Sequence, residues 1–173
     1  VYCDNNKLSI RDRLNLFIKA CEGVQHAHQK AIIHRDLKPA NILVVETDGK
    51  PMPRIIDFGL AKAAASPASQ DPSLTLAGGF VGTPGYMSPE QADPTGAYID
   101  TRTDVYSLGV ILYELLTGFL PFDANQWQKL PLHEVIRQLR EQDPPRPSTR
   151  VKPARKDLAS TAERRRTEPK RFA

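Results

Sequence analysis

The stretch from Asp104 to Thr117 constrains the possible fold most, because its apolar side chains leave almost no polar face. A helix that is apolar on nearly every side needs neighbours all around it, so we expect this one at the centre of a hydrophobic core. Gly118 fits its C-terminal end, since glycine readily adopts the left-handed conformation that is common there. A chain of 173 residues is long enough to bury such a core without disulfides. The apolar positions recur at helical spacing: Val105, Leu108, Ile111, Leu112, Leu115 and Leu116.

Two further helices are indicated by the pattern of apolar residues. The run from Ser9 to Asp12 resembles a capping box, and apolar residues then recur with helical period to about Lys30. Residues 132–142 are amphipathic and follow Pro131, a residue that favours helix starts. We therefore predict helices over 10–30, 104–117 and 132–142.

A β-hairpin is predicted between the first two helices. Short apolar strands at 42–45 and 54–56 flank a turn that contains Asp48 and Gly49. Such a hairpin would bring the polar residues before its first strand close to those after its second. The sequence thus predicts an α+β fold that is mainly helical with one small hairpin.

Charge is distributed unevenly along the chain. Residues 146–173 carry ten Lys or Arg and three Asp or Glu, a net charge of +7, whereas the remaining residues carry 14 and 17, a net charge of −3. We expect 1–145 to form the folded part and 146–173 to be a basic, poorly ordered segment or insertion. Nucleic-acid binding through this tail is disfavoured, because its basic residues lack interleaved aromatic residues before Phe172.

The sequence does not indicate a membrane or secreted protein. The longest apolar stretch, 105–116, is shorter than the roughly 20 residues that span a bilayer, and no apolar leader follows Val1. Cys3 and Cys21 show neither metal-ligand spacing nor a disulfide framework, which favours a reducing, cytoplasmic location. The chain does not begin with Met, so we expect it to be part of a longer protein, which could carry a membrane anchor elsewhere.

Four polar motifs in a fixed order carry the chemistry. His-Arg-Asp-Leu-Lys-Pro-Ala-Asn at 34–41 is followed by Asp-Phe-Gly at 57–59, by GTPGYMSPE at 82–90 and by DVYSLG at 104–109. Together they resemble the signature of protein kinases over about residues 8–142. The residues of these motifs are most similar to those of the bacterial serine/threonine kinases that are related to the eukaryotic ones, the Hanks-type kinases.

The resemblance implies a set of phosphoryl-transfer residues that use ATP and Mg²⁺. Asp36 would accept the proton of the substrate hydroxyl, and Lys38 would reach the γ-phosphate. Asn41 and Asp57 would hold Mg²⁺, which prefers oxygen ligands. Asp36, Lys38 and Thr83 are thus the implied catalytic residues.

The same resemblance implies substrate and nucleotide contacts. Thr83 would shape the acceptor site beside Asp36, and Leu43 and Ile56 match positions near the nucleotide base. Lys38 together with the stretch around Thr83 points to Ser or Thr hydroxyls of proteins as acceptors. Lys38, Asn41, Leu43, Ile56 and Asp57 are thus the implied cofactor-binding residues.

Other motif residues are implied to be structural. The ring of His34 would pack against Phe58, and Asp104 would brace the backbone of the catalytic loop from the buried helix. Glu90 normally pairs with an arginine on a later helix. Ser88 stands where alanine is commoner in the family, which is a departure.

The loop between Asp57 and Thr83 is implied to be a site of regulation. Arg35 precedes Asp36, the pattern of kinases that are switched on when a phosphate in this loop pairs with an arginine. The sequence does not choose among four candidate acceptors: Ser66, Ser69, Ser73 and Thr75.

Parts of the kinase signature are absent from this sequence. No Gly-rich phosphate loop precedes His34, and no strand lysine with a helical glutamate partner is found. We therefore interpret 1–145 as a partial C-lobe without the N-lobe and expect the chain alone to bind ATP weakly. The first alternative is an inactive truncated or pseudokinase scaffold. A small-molecule phosphotransferase and a nucleic-acid binder are less favoured.

Overall fold

The computed structural model describes residues 2–58, 84–92, 99–127, 129–151 and 155–168. Within these residues, the fold is mainly helical and contains one two-stranded antiparallel sheet. The strands are β1 (Ile42–Thr47) and β2 (Lys50–Ile55). The helices are α1 (Tyr2–Asn5), α2 (Ile10–His28), α3 (Thr101–Thr117), α4 (Ala124–Trp127), α5 (Leu132–Glu141), α6 (Pro147–Val151) and α7 (Arg155–Arg164).

Helix α2 begins where the capping motif predicts. The backbone N–H of Asp12 donates to the hydroxyl of Ser9 at 3.2 Å, which satisfies one of the free amides of the first turn. The helix ends at His28, two residues before the predicted end. Its buried face includes Leu16, Ala20 and Val24.

The predicted hairpin is confirmed, but its second strand is longer than expected. The strands pair from Ile42 with Ile55 to Thr47 with Lys50, and the turn residues Asp48 and Gly49 have φ of 51° and 69°. Positive φ at both turn positions is typical of the tight type I′ turn. The sequence predicts β2 over 54–56, whereas the strand begins at Lys50 and ends at Ile55.

Both prolines of β2 are compatible with this pairing. Counted from the two-residue turn, Pro51 and Pro53 fall in the pairs that exchange no hydrogen bonds. At such positions a strand N–H points to the outer edge of the sheet, so its absence costs no bond to β1.

Helix α3 lies in the core, but the side chains that are buried in its first turns are polar. It begins at Thr101 and ends at Thr117. The C-cap Gly118 follows with φ of 83°, and its N–H donates to Glu114 O at 2.8 Å. The buried positions near its N-terminus are Thr103, Asp104 and Ser107. The expectation that all sides are covered is wrong at Val105, which is 60% exposed.

Two hydrophobic clusters form the core of the described residues. The first joins Val24, Leu37, Leu108 and Ile111, and thereby packs α2 and the 34–41 loop against α3. The second comprises Ala92, Trp127, Val135 and Leu139, and it anchors the predicted amphipathic helix α5. No helix among these residues is long and apolar enough to cross a membrane.

Residues 147–151 and 155–164 are helical, which differs from the irregular tail that the sequence suggested. Val151 and Ala162 are buried, as is Arg165 just beyond α7. The Arg165 guanidinium donates to the carbonyls of Leu116 at 2.8 Å and of Leu115 at 3.1 Å, both at the end of α3. The sequence did not predict this packing, because Arg165 is one of many basic residues in a segment whose charges were expected to be solvated.

Replacing Arg165 by Met is expected to lower the free energy of unfolding by about 2–3 kcal/mol, because several buried carbonyls lose their donor. Burial, together with the nearby Arg13 charge, lowers the pKa of Arg165 to about 10, so the side chain is still charged at neutral pH. Urea denaturation measures the change. The matched control is Arg164→Met at the exposed neighbour, for which a change within about 0.5 kcal/mol is expected; equal effects would contradict the anchoring role.

Candidate active site

The loop at 34–41 is held in place by one buried carboxylate. Asp104 accepts hydrogen bonds from the backbone N–H of His34 and of Arg35, each at 2.9 Å. His28 Nε2 lies 2.7 Å from the same carboxylate, which is 0% exposed. The structure therefore agrees with the expectation that Asp104 braces the loop, and it adds His28, which the sequence interpretation missed.

His34 links the loop to the end of the hairpin. Its Nε2 lies 2.8 Å from the carbonyl of Ile56, and the backbone N–H of Asp36 points to its Nδ1 at 3.3 Å. Since that N–H donates to Nδ1, the ring proton belongs on Nε2 and donates to Ile56. The ring also contacts Phe58, with 4.8 Å between centroids. The expected packing of His34 against Phe58 is thus found.

Asp36, Lys38 and Asn41 form one polar cluster. Lys38 Nζ donates to Asp36 Oδ2 at 2.8 Å, and Asn41 Nδ2 donates to the backbone carbonyl of Asp36 at 2.8 Å and to Oδ2 at 3.3 Å. Asn41 is buried, whereas the side chains of Lys38 and Asp36 are 32% and 41% exposed. The Asp36 carboxylate is therefore oriented by its contacts with Lys38 and Asn41 and remains accessible to a substrate.

Asp57 and Asn41 lie at the same end of the hairpin. Asn41 directly precedes β1, and Asp57 comes two residues after the end of β2. The backbone N–H of Ile56 donates to Asn41 O at 3.0 Å, which joins the two segments. Asp57 is exposed and has φ of 56°, the left-handed conformation that non-glycine residues seldom adopt. Backbone strain of this kind is concentrated at functional sites.

Asn41 and Asp57 together offer oxygen ligands of the kind that Mg²⁺ accepts. Magnesium is usually bound by one or two carboxylates with substrate phosphates and water, rather than by a complete protein cage. No cluster of three His, Cys, Asp or Glu side chains suited to a metal occurs within the described ranges. The donor set fits a cation that is shared with a phosphate-bearing substrate.

Of the remaining predicted residues, the structure describes Leu43 and Ile56 only. Leu43 lies on β1 and is 47% exposed, and Ile56 is half-buried after β2. Thr83 lies outside the described residues. The same holds for the four candidate phosphorylation sites, Ser66, Ser69, Ser73 and Thr75.

Residues 84–92 form a second segment beside the loop, and polar side chains of α3 fix it. Ser107 Oγ donates to Tyr86 O at 2.8 Å, and Thr103 Oγ1 donates to Glu90 at 2.7 Å. The Tyr86 hydroxyl donates to Glu114. Burial and this carboxylate hold the pKa of Tyr86 above its usual value, so the hydroxyl stays a donor.

Sequence reasoning did not identify Thr103 and Ser107 as the side chains of α3 that hold the 84–92 segment, although a signal existed. Thr103 and Ser107 are four residues apart, and so lie on one face of an otherwise apolar helix. The resemblance implies an arginine partner for Glu90 on a later helix, which the sequence interpretation did not find in this chain. In the structure Glu90 accepts from Thr103.

A braced loop that presents an aspartate, a lysine and an asparagine beside an Asp-Phe segment is the arrangement found in the catalytic half of protein kinases. The family model described as "Protein kinase domain" matches residues 2–169. The chain belongs to the protein kinase family.

Bacterial serine/threonine kinases are among its relatives. The chain is 44% identical to serine/threonine-protein kinase Pkn1 of Myxococcus xanthus over 142 residues, which are 82% of the chain and 19% of Pkn1. It is 44% identical to pkn3 of the same organism, over 79% of the chain and 24% of pkn3. It is 40% identical to PknB of Mycobacterium tuberculosis, over 84% of the chain and 21% of PknB. The resemblance to bacterial Hanks-type kinases is thus confirmed, and the chain spans about a fifth to a quarter of these relatives' lengths.

Proposed function

We propose that the protein containing this chain is an ATP-dependent serine/threonine protein kinase that transfers the γ-phosphate to hydroxyls of protein substrates. The observation that carries the proposal is the Asp36 carboxylate, held by Lys38 and Asn41 in a loop that Asp104 braces. Phosphoryl transfer depends on positioning and charge neutralisation more than on covalent chemistry. A fixed, accessible carboxylate beside an ammonium group meets both needs.

Each proposed role follows from the chemistry of the side chain. Asp36 orients the acceptor hydroxyl and takes its proton, while Lys38 supplies positive charge to the phosphate. Asn41 and Asp57 would hold Mg²⁺, which when bound neutralises phosphate charge. We further assign Thr83 to the acceptor side, and Leu43 and Ile56 to contacts with the nucleotide base.

We also propose that this chain corresponds to the C-lobe part of the kinase domain. All four of its motifs belong to that lobe, and its sequence has no Gly-rich loop or strand lysine. In place of a boundary at 145, the packed helices α6 and α7 and the family match to residue 169 support a folded region that continues beyond it. Because ATP is found inside cells, and Cys3 and Cys21 are both free thiols, we place this part in the cytoplasm.

Regulation by phosphorylation is part of the proposal. A phosphate on Ser66, Ser69, Ser73 or Thr75 would pair with a cationic side chain, and Arg35 next to Asp36 is the natural partner.

The test is a transfer assay with the full-length protein, labelled Mg-ATP and a mixed protein substrate, followed by phosphoamino-acid analysis. Phosphoserine and phosphothreonine are expected. If the label appeared on tyrosine, or only on small molecules, the proposal that serine and threonine hydroxyls of proteins are the acceptors would be wrong. No transfer by full-length protein under any metal condition would favour the inactive scaffold.

Replacing Asp57 by Asn is expected to raise the Mg²⁺ concentration needed for half-maximal transfer by about 10–100-fold, because a neutral amide binds the cation far more weakly than a carboxylate. A titration of Mg²⁺ at fixed ATP measures the effect. Asp48→Asn is the matched control, since Asp48 lies in the hairpin turn, where asparagine is equally suited. An unchanged Mg²⁺ requirement for Asp57→Asn would remove Asp57 from the metal site.

A further inference from the structure

The peptide group that joins Arg35 to Asp36 is held from both sides. Its carbonyl, Arg35 O, accepts from Gln91 Nε2 at 2.6 Å, and its N–H, from Asp36, points to His34 Nδ1 at 3.3 Å. The preceding N–H, that of Arg35, donates to Asp104. Arg35 itself has φ of 66°, a left-handed conformation that persists only where surrounding contacts enforce it.

The amide of Gln91 is oriented by a second residue. Gln91 Oε1 faces the backbone N–H of Ser88 at 3.2 Å and the Ser88 hydroxyl at 3.3 Å. With two donors at its oxygen, the amide must direct its NH₂ group to the Arg35 carbonyl. Ser88 is 0% exposed, so both of its donors face protein rather than bulk water.

We propose that Gln91 is a positioning residue for Asp36, and that Ser88 sets its orientation. The proposal rests on the proposed function and deepens it. Gln91 belongs to the 84–92 segment, which α3 also holds, so the amide couples that segment to the backbone carrying Asp36. This role also explains why serine stands at position 88, where alanine is commoner in the family. Alanine there would remove the hydroxyl, one of the two donors that orient the Gln91 amide.

Backbone hydrogen exchange tests the coupling without any requirement for activity. In Gln91→Met, which keeps the size but loses both hydrogen-bonding functions, the Arg35 and Asp36 amides are expected to exchange about tenfold faster. Ser88→Ala should give a smaller increase, of about threefold, at the same amides. The Val24 amide in α2 should not change, and Gln29→Met at an exposed glutamine is the matched control. Unchanged exchange at Arg35 and Asp36 in both variants would overturn the proposal.

Kinetics of the full-length protein separate positioning from a general loss of stability. Gln91→Met is expected to lower kcat about tenfold while the KM for ATP stays unchanged, since only the orientation of Asp36 is affected. If Gln91→Met unfolds, Ser88→Ala decides by the same measurements. A fall in thermal stability with normal kcat below the transition would overturn the positioning role. If unmodified protein transfers no phosphate, the proposed function fails, whereas the exchange data still decide the coupling.

Discussion

Replacing Asp36 by Asn is expected to slow phosphoryl transfer by the full-length protein about 10²–10⁴-fold, the usual contribution of a positioned general base. An amide cannot accept the hydroxyl proton. It also alters the partner of Lys38, whose ammonium now lies 2.8 Å from Asp36 Oδ2. Both effects act on the transition state, so kcat is expected to fall more than the affinity for ATP changes.

Folding should be almost unaffected by this substitution, because the Asp36 side chain is 41% exposed and water can solvate either group. Steady-state kinetics and urea denaturation on the same preparations separate activity from stability. Asp143→Asn, at an exposed aspartate after α5, is the matched control and should retain full activity. If the Asp36→Asn variant kept more than a tenth of the activity, Asp36 would be excluded as the base.

Replacing Asp104 by Ala is expected to lower the free energy of unfolding by about 3–5 kcal/mol, the range seen when one partner of a buried charged network is removed. The N–H groups of His34 and Arg35 would lose their acceptor inside the protein, and His28 would lose its carboxylate. Each buried donor without a partner is costly because water cannot replace the bond. Urea denaturation measures the loss.

Asp100→Ala provides a control in the same helix. Asp100 caps α3 by accepting from Arg102 N at 2.8 Å, and its side chain is 45% exposed. Loss of such an exposed cap is expected to lower the free energy of unfolding much less than loss of the buried Asp104 carboxylate. If the two substitutions were equally destabilising, Asp104 would be no more than part of the helix terminus, and the bracing of the 34–41 loop would be contradicted.

Local signals in the sequence were sufficient for the hairpin and the start of α2. Ser9 and Asp12 determine where α2 begins, and Asp48 with Gly49 determines the turn, since each acts through bonds within a few residues. The order of the motifs likewise placed Asp36, Asn41 and Asp57 at one end of the hairpin. These features depend on short-range geometry, which a sequence pattern describes well.

Long-range polar contacts could not be predicted in the same way. Arg165 is buried because three carbonyls at the end of α3 need a donor, yet more than 45 residues separate them in sequence. Val105 is exposed because Thr103, Asp104 and Ser107 occupy the buried positions of that turn. In both cases hydrogen bonding to groups distant in sequence determined burial, whereas the sequence interpretation weighed only hydrophobicity and charge.

The two prolines of β2 have a consequence for how copies of the protein meet. An exposed strand edge offers a row of free N–H groups on which another chain can build an intermolecular sheet. Pro51 and Pro53 lie at the outward-facing positions of β2, so that edge has no donors there. The hairpin is thus protected against edge-to-edge aggregation by the same residues that made its second strand difficult to recognise.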